Sequence, residues 1–281
     1  MDVLHTVADL TAWRERAGSG CVGLVPTMGN LHDGHRALLD AAVAQCDWAV
    51  ASIFVNPLQF GPQEDLAAYP RTPAADYEVL AEAGMDAVFA PSVEQMYPHG
   101  GESATRIRVD GLSDILCGAQ RLGHFEGVAT VVAKLFHLVR PHYAYFGEKD
   151  YQQLIIIRRL VSDLCMDVNV VGVPTVRETD RLALSSRNRY LQPAQRHVAP
   201  GLAAALQVCI DRLRAGERNF TTLEHIGMQR LRVAGFTPEY FAVRDADLAA
   251  PHERTREFRV LAAAVLGKAR LIDNMGLTVS G

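Results

Sequence analysis

The sequence predicts an α/β protein: a parallel sheet with helices on both faces over residues 1–175, then a smaller α+β domain over 176–281. Two observations carry this expectation. Over the first two thirds, apolar runs of strand length alternate with stretches of helical spacing, and strands separated by helices favour parallel pairing through crossovers. After Pro174 the pattern changes to two helical stretches followed by strands, punctuated by Gly235 and Pro238. At 281 residues the chain is long enough for one large domain or two smaller ones, and no long linker, repeat or low-complexity segment divides it.

Residues 21–26 (CVGLVP) read as a buried strand closed by a proline. Residues 35–46 follow at helical spacing, with Leu38, Leu39, Ala42 and Val43 on one face. Residues 48–55 (WAVASIFV) form a second buried strand, and 86–90 a shorter third. Residues 126–140 read as a helix holding Val128, Val131, Val132, Leu135 and Leu138. A strand over 142–146, a helix from 150 to about 165 and a strand over 168–173 complete the first domain. In the tail, 193–214 and 221–233 read as helices, and 239–244, 258–266 and 269–272 as strands.

The formal net charge of -4 provides no basic field for nucleic acid or an anionic membrane, so an anionic ligand must be held by local charge. Cys21, Cys46, Cys117, Cys165 and Cys209 form no CxxC pair and read as reduced, buried thiols. The first twenty residues lack the apolar core of a signal peptide, and no apolar run approaches a membrane span. A cytoplasmic protein is expected.

Gly18, Gly20 and Gly23 spell GxGxxG, the dinucleotide fingerprint. That motif must follow a strand and open a helix. Here a helical stretch precedes it and a strand follows, so it reads as a turn.

The informative loops follow the strands. In PTMGNLHDGH (26–35) a glycine-bearing loop leads into a helix start, a favourable place for phosphate. Gly29 and Gly34 permit close backbone approach, and His32 and His35 can each donate to a phosphate oxygen. The same HxxH spacing also fits two helix-surface histidines; zinc is disfavoured because zincin helices need i, i+4 histidines with a glutamate. GEKDYQQ (147–153) supplies Lys149 as a mobile cation, Asp150 and neutral glutamines, or else is a solvated turn capping a helix. LSSRN (184–188) clusters hydroxyls, a guanidinium and an amide suited to phosphate, or else is a serine cap beside an exposed arginine. SIFVNPLQF (52–60) places Asn56 and Gln59, amides suited to a hydroxy acid, or else is a proline turn. Arg121 and His124 precede the long helix. Donor-rich loops after successive strands of one sheet would converge on one edge.

With those residues in view, the sequence resembles the pantothenate synthetase family of the nucleotidylyltransferase superfamily. The resemblance is carried by PTMGNLHDGH, SIFVNPLQF, YPRT (69–72), HFEGVATVVAKLF (124–136), YFGEKDYQQL (145–154), VVGVPTVRE (170–178), LALSSRNRYL (182–191) and LGKARLIDN (266–274), over about residues 22–275. It implies a Rossmann-like sheet of the HxGH type, in which LSSRN is similar to the KMSKS loop. It also implies a two-step reaction. The carboxylate of (R)-pantoate attacks the α-phosphate of ATP, giving pantoyl adenylate and pyrophosphate; the amine of β-alanine then attacks the activated carbonyl, giving pantothenate and AMP. Mg²⁺, held mainly by the ATP phosphates, and a homodimer are implied as well.

Carried over by position, the resemblance sets Met28, Gly29, Asn30, Leu31, His32, Asp33, Gly34 and His35 around ATP. Gly147, Glu148, Lys149, Asp150, Val176, Leu184, Ser185, Ser186 and Arg187 join them. His35 matches the catalytic proton donor, with His32, Lys149 and Arg187 offsetting charge on the departing pyrophosphate. Gln59 and Gln153 match the pantoate-binding glutamines, beside Asn56, with Arg121 and His124 nearby. One position departs: the family usually has glycine after the aspartate where this chain reads Asp180-Arg181-Leu182. If that site needs φ > 0, arginine is strained; otherwise it is solvated or a further phosphate contact. Two other functions stay open on the residues alone, another HxGH nucleotidylyltransferase and a catalytically dead nucleotide-binding protein.

Overall fold

The computed structural model describes residues 1–61, 66–67, 69–101 and 103–279. It contains strands β1 (Asp2–Leu4), β2 (Val22–Thr27), β3 (Trp48–Ile53), β4 (Ala87–Phe89), β5 (Tyr143–Gly147) and β6 (Asn169–Val173). These form one sheet in the order β1-β4-β3-β2-β5-β6 with every pairing parallel. Helices α1 (Val7–Ala17), α2 (Asp33–Gln45), α3 (Pro73–Glu82), α4 (Val93–Met96), α5 (Cys117–Gln120), α6 (His124–Val139) and α7 (Tyr151–Asp163) connect them. The tail adds α8 (Pro193–Val198), α9 (Gly201–Arg214) and α10 (Phe220–Val233), then an antiparallel sheet of β7 (Thr237–Asp245), β8 (Glu257–Leu266) and β9 (Ala269–Thr278). The chain divides into two compact units, Met1–Glu148 with Gln153–Pro174, and Lys149–Gln152 with Thr175–Gly281.

The first unit buries both faces of its sheet. Val25, Ala49, Ala51, Val88 and Tyr145 pack with Leu38, Leu39 and Ala42 of α2, with Leu80 of α3 and with Ala83 just beyond its end. Because side chains alternate along a strand, Leu24 and Val50 point the other way, and they too are fully buried. On that side α1 packs against α6, and α6 against β2. In the second unit α9 and α10 lie on the antiparallel sheet, with Leu206, Ile210, Leu213, Leu223, Phe241, Val260 and Leu271 in one core.

Several expectations are corrected. Pro26 lies inside β2 rather than ending it. Val22 exchanges bonds with His142 on the β5 side, so Pro26, four residues on, turns its nitrogen to the same side. Pairing with β5 covers only Gly23 and Leu24, so the missing N–H breaks no ladder bond. The helix expected over 193–214 is two helices, broken where Pro200 precedes α9. Val43 is exposed instead of joining the α2 core. Of the cysteines only Cys117 and Cys209 are buried, Cys21 and Cys46 are half-buried, and Cys165 is exposed. Burial pushes the thiols of Cys46 and Cys209 up to about 11 and about 12. Among the described residues, no helix is long and apolar enough to cross a membrane.

Candidate active site

In the first unit β2 and β5 are neighbours, and the chain leaves β2 toward β3 but leaves β5 toward β6, so the two connections run in opposite directions. In open α/β sheets ligands bind at such a switch point, beyond the carboxyl ends of the strands. The loop after β2 lies there. Gly29 has φ 79, and Asn30 follows at φ 53, a conformation that asparagine tolerates. A Cβ on Gly29 would stand 2.9 Å from Asp76 Oδ2 and 3.1 Å from Ile53 Cγ2.

That loop ends in a reciprocal cap on α2. His32 is the N-cap, and its Nδ1 accepts the Gly34 N–H at 3.1 Å. His35, in the first turn, accepts the His32 N–H through its own Nδ1 at 3.3 Å. A ring nitrogen that accepts carries no hydrogen, so each neutral imidazole bears its proton on Nε2. The rings lie 4.1 Å apart between centroids. Two Nε2–H donors at the positive end of a thirteen-residue helix suit an anionic oxygen.

Asp76, which sequence reading missed, holds this loop. Its carboxylate is almost fully buried and accepts the Asn30 N–H at 3.0 Å, the Leu31 N–H at 2.8 Å and the Thr72 hydroxyl at 3.2 Å. It lies on α3, whose only buried residues are Asp76 and Leu80, so no apolar stripe announced the helix. The usable signal was TPAAD itself, a threonine and a proline opening a helix before an aspartate.

A second cluster surrounds Gln59, on the 3-10 turn Pro57–Gln59. Asn56 is 1% exposed and has every bonding position taken within the protein. Its Nδ2 donates to Gln59 Oε1 at 3.1 Å and to Gly127 O at 3.0 Å, while its Oδ1 accepts from Leu58 N and the Tyr97 hydroxyl. Burial pushes Tyr97 up to about 12, so its hydroxyl stays a donor. Gln59 Nε2 rests on Met28 Sδ at 3.0 Å. His124 Nε2 lies 2.8 Å from Arg121 Nη1; a guanidinium can only donate, so His124 accepts there and gives its Nδ1–H to Gln59 O at 2.8 Å. Gly127 on α6 is pressed against the same turn, since a Cβ would stand 2.2 Å from Leu58 O. The structure thus joins Met28, Asn56, Gln59, Arg121 and His124 in one network; Gly147 ends β5, Glu148 opens the 3-10 turn that follows, and Gln153 lies half-buried in the first turn of α7.

In the second unit, residues 177–183 form a hairpin closed by a bridge between Arg177 and Ala183. Leu184 N–H bonds Val176 O at 3.0 Å, bringing those two expected residues together. Ser185 caps the short turn Ser186–Tyr190, accepting the Arg187 N–H at 3.3 Å. Lys149, Ser185, Asn188, Leu271 and Asp273 line one small cavity of this unit, and Asn188 Oδ1 is buried without a hydrogen-bond partner. Arg181 has φ 75, so the strained alternative holds, and its guanidinium donates to Gln207 Oε1 at 2.8 Å.

A fully parallel sheet with a polar, histidine-capped loop at its switch point defines an α/β protein of the ligand-binding, doubly wound class. Comparison with known proteins narrows the class. A model of the family described as pantoate-beta-alanine ligase matches residues 2–276, and the chain belongs to that family. It is 53% identical over 283 residues to a pantothenate synthetase of Pseudomonas savastanoi pv. phaseolicola, covering 100% of each chain. It is 55% identical over 278 residues to one from Nitrosococcus oceani, covering 98% of this chain and 97% of the relative. The crystal structure of pantothenate synthetase from Thermus thermophilus superposes with TM-score 0.90 at 49% identity, covering 98% of this chain and 99% of the other. That of pantoate-beta-alanine ligase from Francisella tularensis, complexed with beta-gamma ATP and beta-alanine, gives 0.82 at 32% identity, covering 98% and 97%.

Proposed function

We propose that this protein condenses (R)-pantoate with β-alanine at the expense of ATP, forming pantothenate, AMP and pyrophosphate through pantoyl adenylate. Full-length membership of the ligase family supports the activity. The observation that carries the mechanism is the mutual capping by His32 and His35 through Nδ1, which puts the hydrogen of each ring on Nε2 at the start of α2.

In the first step the pantoate carboxylate attacks the α-phosphorus, and the bond to the bridging oxygen of pyrophosphate breaks. Negative charge grows on that oxygen. His35 and His32 donate to it or to the adjoining phosphates, and Lys149 and Arg187 add fixed positive charge. No side-chain nucleophile is needed, because the substrate supplies one. In the second step the β-alanine amine attacks the acyl carbonyl and AMP leaves.

Gln59 and Gln153 bind pantoate in this reading. A thioether is a weak acceptor, so a pantoate oxygen can replace Met28 Sδ on Gln59 Nε2 at little cost. Asn56, with no bonding position left over, and His124, backed by Arg121, hold Gln59 in place. Residues 28–35, Gly147, Glu148, Asp150, Val176, Leu184, Ser185 and Ser186 are assigned to ATP binding in this reading. Residues 1–175 carry ATP and pantoate binding, and 176–281 carry the LSSRN loop. Mg²⁺ held mainly by the ATP phosphates would offset part of their charge. The enzyme acts as a homodimer in the cytoplasm.

Pyrophosphate–ATP exchange with purified protein tests the reading. Exchange should require pantoate, and AMP and pantothenate should appear once β-alanine is added. Lys149→Ala should lower exchange by about 10² or more. Pantoate-independent exchange, or none despite ATP binding, would refute the assignment.

A further inference from the structure

Lys149 sits on the 3-10 turn Glu148–Asp150, where the chain leaves the first unit for the second. A lysine acts as a point charge on a flexible stem, so where its charge goes depends on where its backbone is held. The hold comes from β9. Asn274 Nδ2 donates to Lys149 O at 2.9 Å across 125 residues of sequence.

Asn274 is itself locked. It is 4% exposed, and its Oδ1 accepts from Arg259 Nη1 at 2.9 Å. The Arg259 guanidinium stacks 3.7 Å from the ring centroid of Tyr151, two residues beyond Lys149. With Oδ1 occupied by a cation, the amide presents its NH₂ toward the Lys149 carbonyl in one orientation. The neighbouring Asp273 serves the other side. Arg177 pairs with it bidentately at 2.7 and 2.8 Å and also donates to Arg181 O and Asn274 O. Arg177 stands at the base of the hairpin that leads into 184–188. Adjacent residues of one strand therefore set both Lys149 and the serine–arginine loop.

We propose that Asn274 is a positioning residue for adenylate formation, fixing Lys149 against the 184–188 loop through the Lys149 carbonyl. The inference rests on Lys149 serving the first half-reaction. It predicts a loss confined to that half-reaction, which a merely structural asparagine would not produce.

The test uses the full chain as Asn274→Ala, Asn274→Asp, Lys149→Ala and the Asn274→Ala/Lys149→Ala double variant. Exchange reports the first half-reaction; supplied pantoyl adenylate with β-alanine reports the second. Asn274→Ala should lower exchange kcat by about tenfold or more, as expected for a misplaced catalytic group, and leave the second half-reaction within about twofold. Once Lys149 is alanine, the same change should cost less than about twofold further. Asn274→Asp keeps the Arg259 contact but has no donor for the carbonyl, so it should match the alanine variant; it carries the test if that variant does not fold. Losses that multiply, equal losses in both half-reactions, or wild-type exchange in Asn274→Asp would overturn the inference. If Lys149→Ala exchanges normally, the assignment of Lys149 fails first and this inference with it.

Discussion

Arg181 occupies left-handed backbone at φ 75, at the end of a turn in which its N–H bonds Glu178 O at 2.8 Å. The following bond, Glu178 N–H to Leu182 O, closes a tight hairpin whose last loop residue must take this conformation, the usual place for glycine. For an L-residue the conformation costs about 1–2 kcal/mol, and the single hydrogen bond to Gln207 offsets only part of it because both groups are exposed. Arg181→Gly gives back about 0.4–1 kcal/mol through the more flexible unfolded chain. The net expectation, with the Gln207 bond also lost, is a variant more stable by about 0.5 kcal/mol or less in denaturant melts, with an unchanged Michaelis constant for ATP. A lowered midpoint would show that the Gln207 contact outweighs the strain. The histidines teach a related lesson: HxxH spacing was visible in the chain, but the hydrogen on Nε2 follows only from backbone donors that point at each Nδ1.

At the scale of elements, α6 meets the turn Pro57–Gln59 through a glycine. With Leu58 O 2.2 Å and Gln59 N 2.6 Å from where a Cβ would stand, Gly127→Ala must push main chain rather than a flexible side chain. Overpacking of this kind costs about 1–3 kcal/mol, and the displaced segment carries Gln59. The expected result is a raised Michaelis constant for pantoate with ATP binding little changed, measured by exchange kinetics and calorimetry. Equal weakening of both substrates would mean a general loss of structure. The helix α3 works likewise at a distance, its Asp76 clamping the loop after β2 from 46 residues away. The order of β2, α2, β3, β4, α6, β5, α7 and β6 was legible because each buries a face, which imposes period 2 or 3.6 on its own residues, whereas the three-residue edge strand β1 was not read. α3 buries little and left no such trace, and the single helix read over 193–214 passed over Pro200 because apolar spacing continues on both sides of it.

For the whole molecule, the units do not follow the chain, since Lys149–Gln152 belong with Thr175–Gly281. Local contacts explain it: Asn274 to Lys149 O, the Tyr151 hydroxyl to Ala246 O, and Arg259 on the Tyr151 ring. If ATP binds the folded chain alone, nucleotide at a hundred times its Kd should add about 2.7 kcal/mol of stability, visible as a raised Tm. Sedimentation should return twice 30.7 kDa if the homodimer is the working form. An ATP-independent melt would contradict nucleotide binding, and a species of 30.7 kDa would contradict the dimer.

The sequence alone determined the parallel α/β front, the α+β tail, the polar loops after the strands and the family resemblance, because burial patterns and loop chemistry repeat locally along the chain. Tertiary structure decided which groups hold which. Asp76 on the loop after β2, His124 on Gln59, and Asn274 on Lys149 act across 46, 65 and 125 residues. A hydrogen bond is directional and needs only one donor and one acceptor, so a long-range bond leaves no periodicity at either end of the chain that makes it.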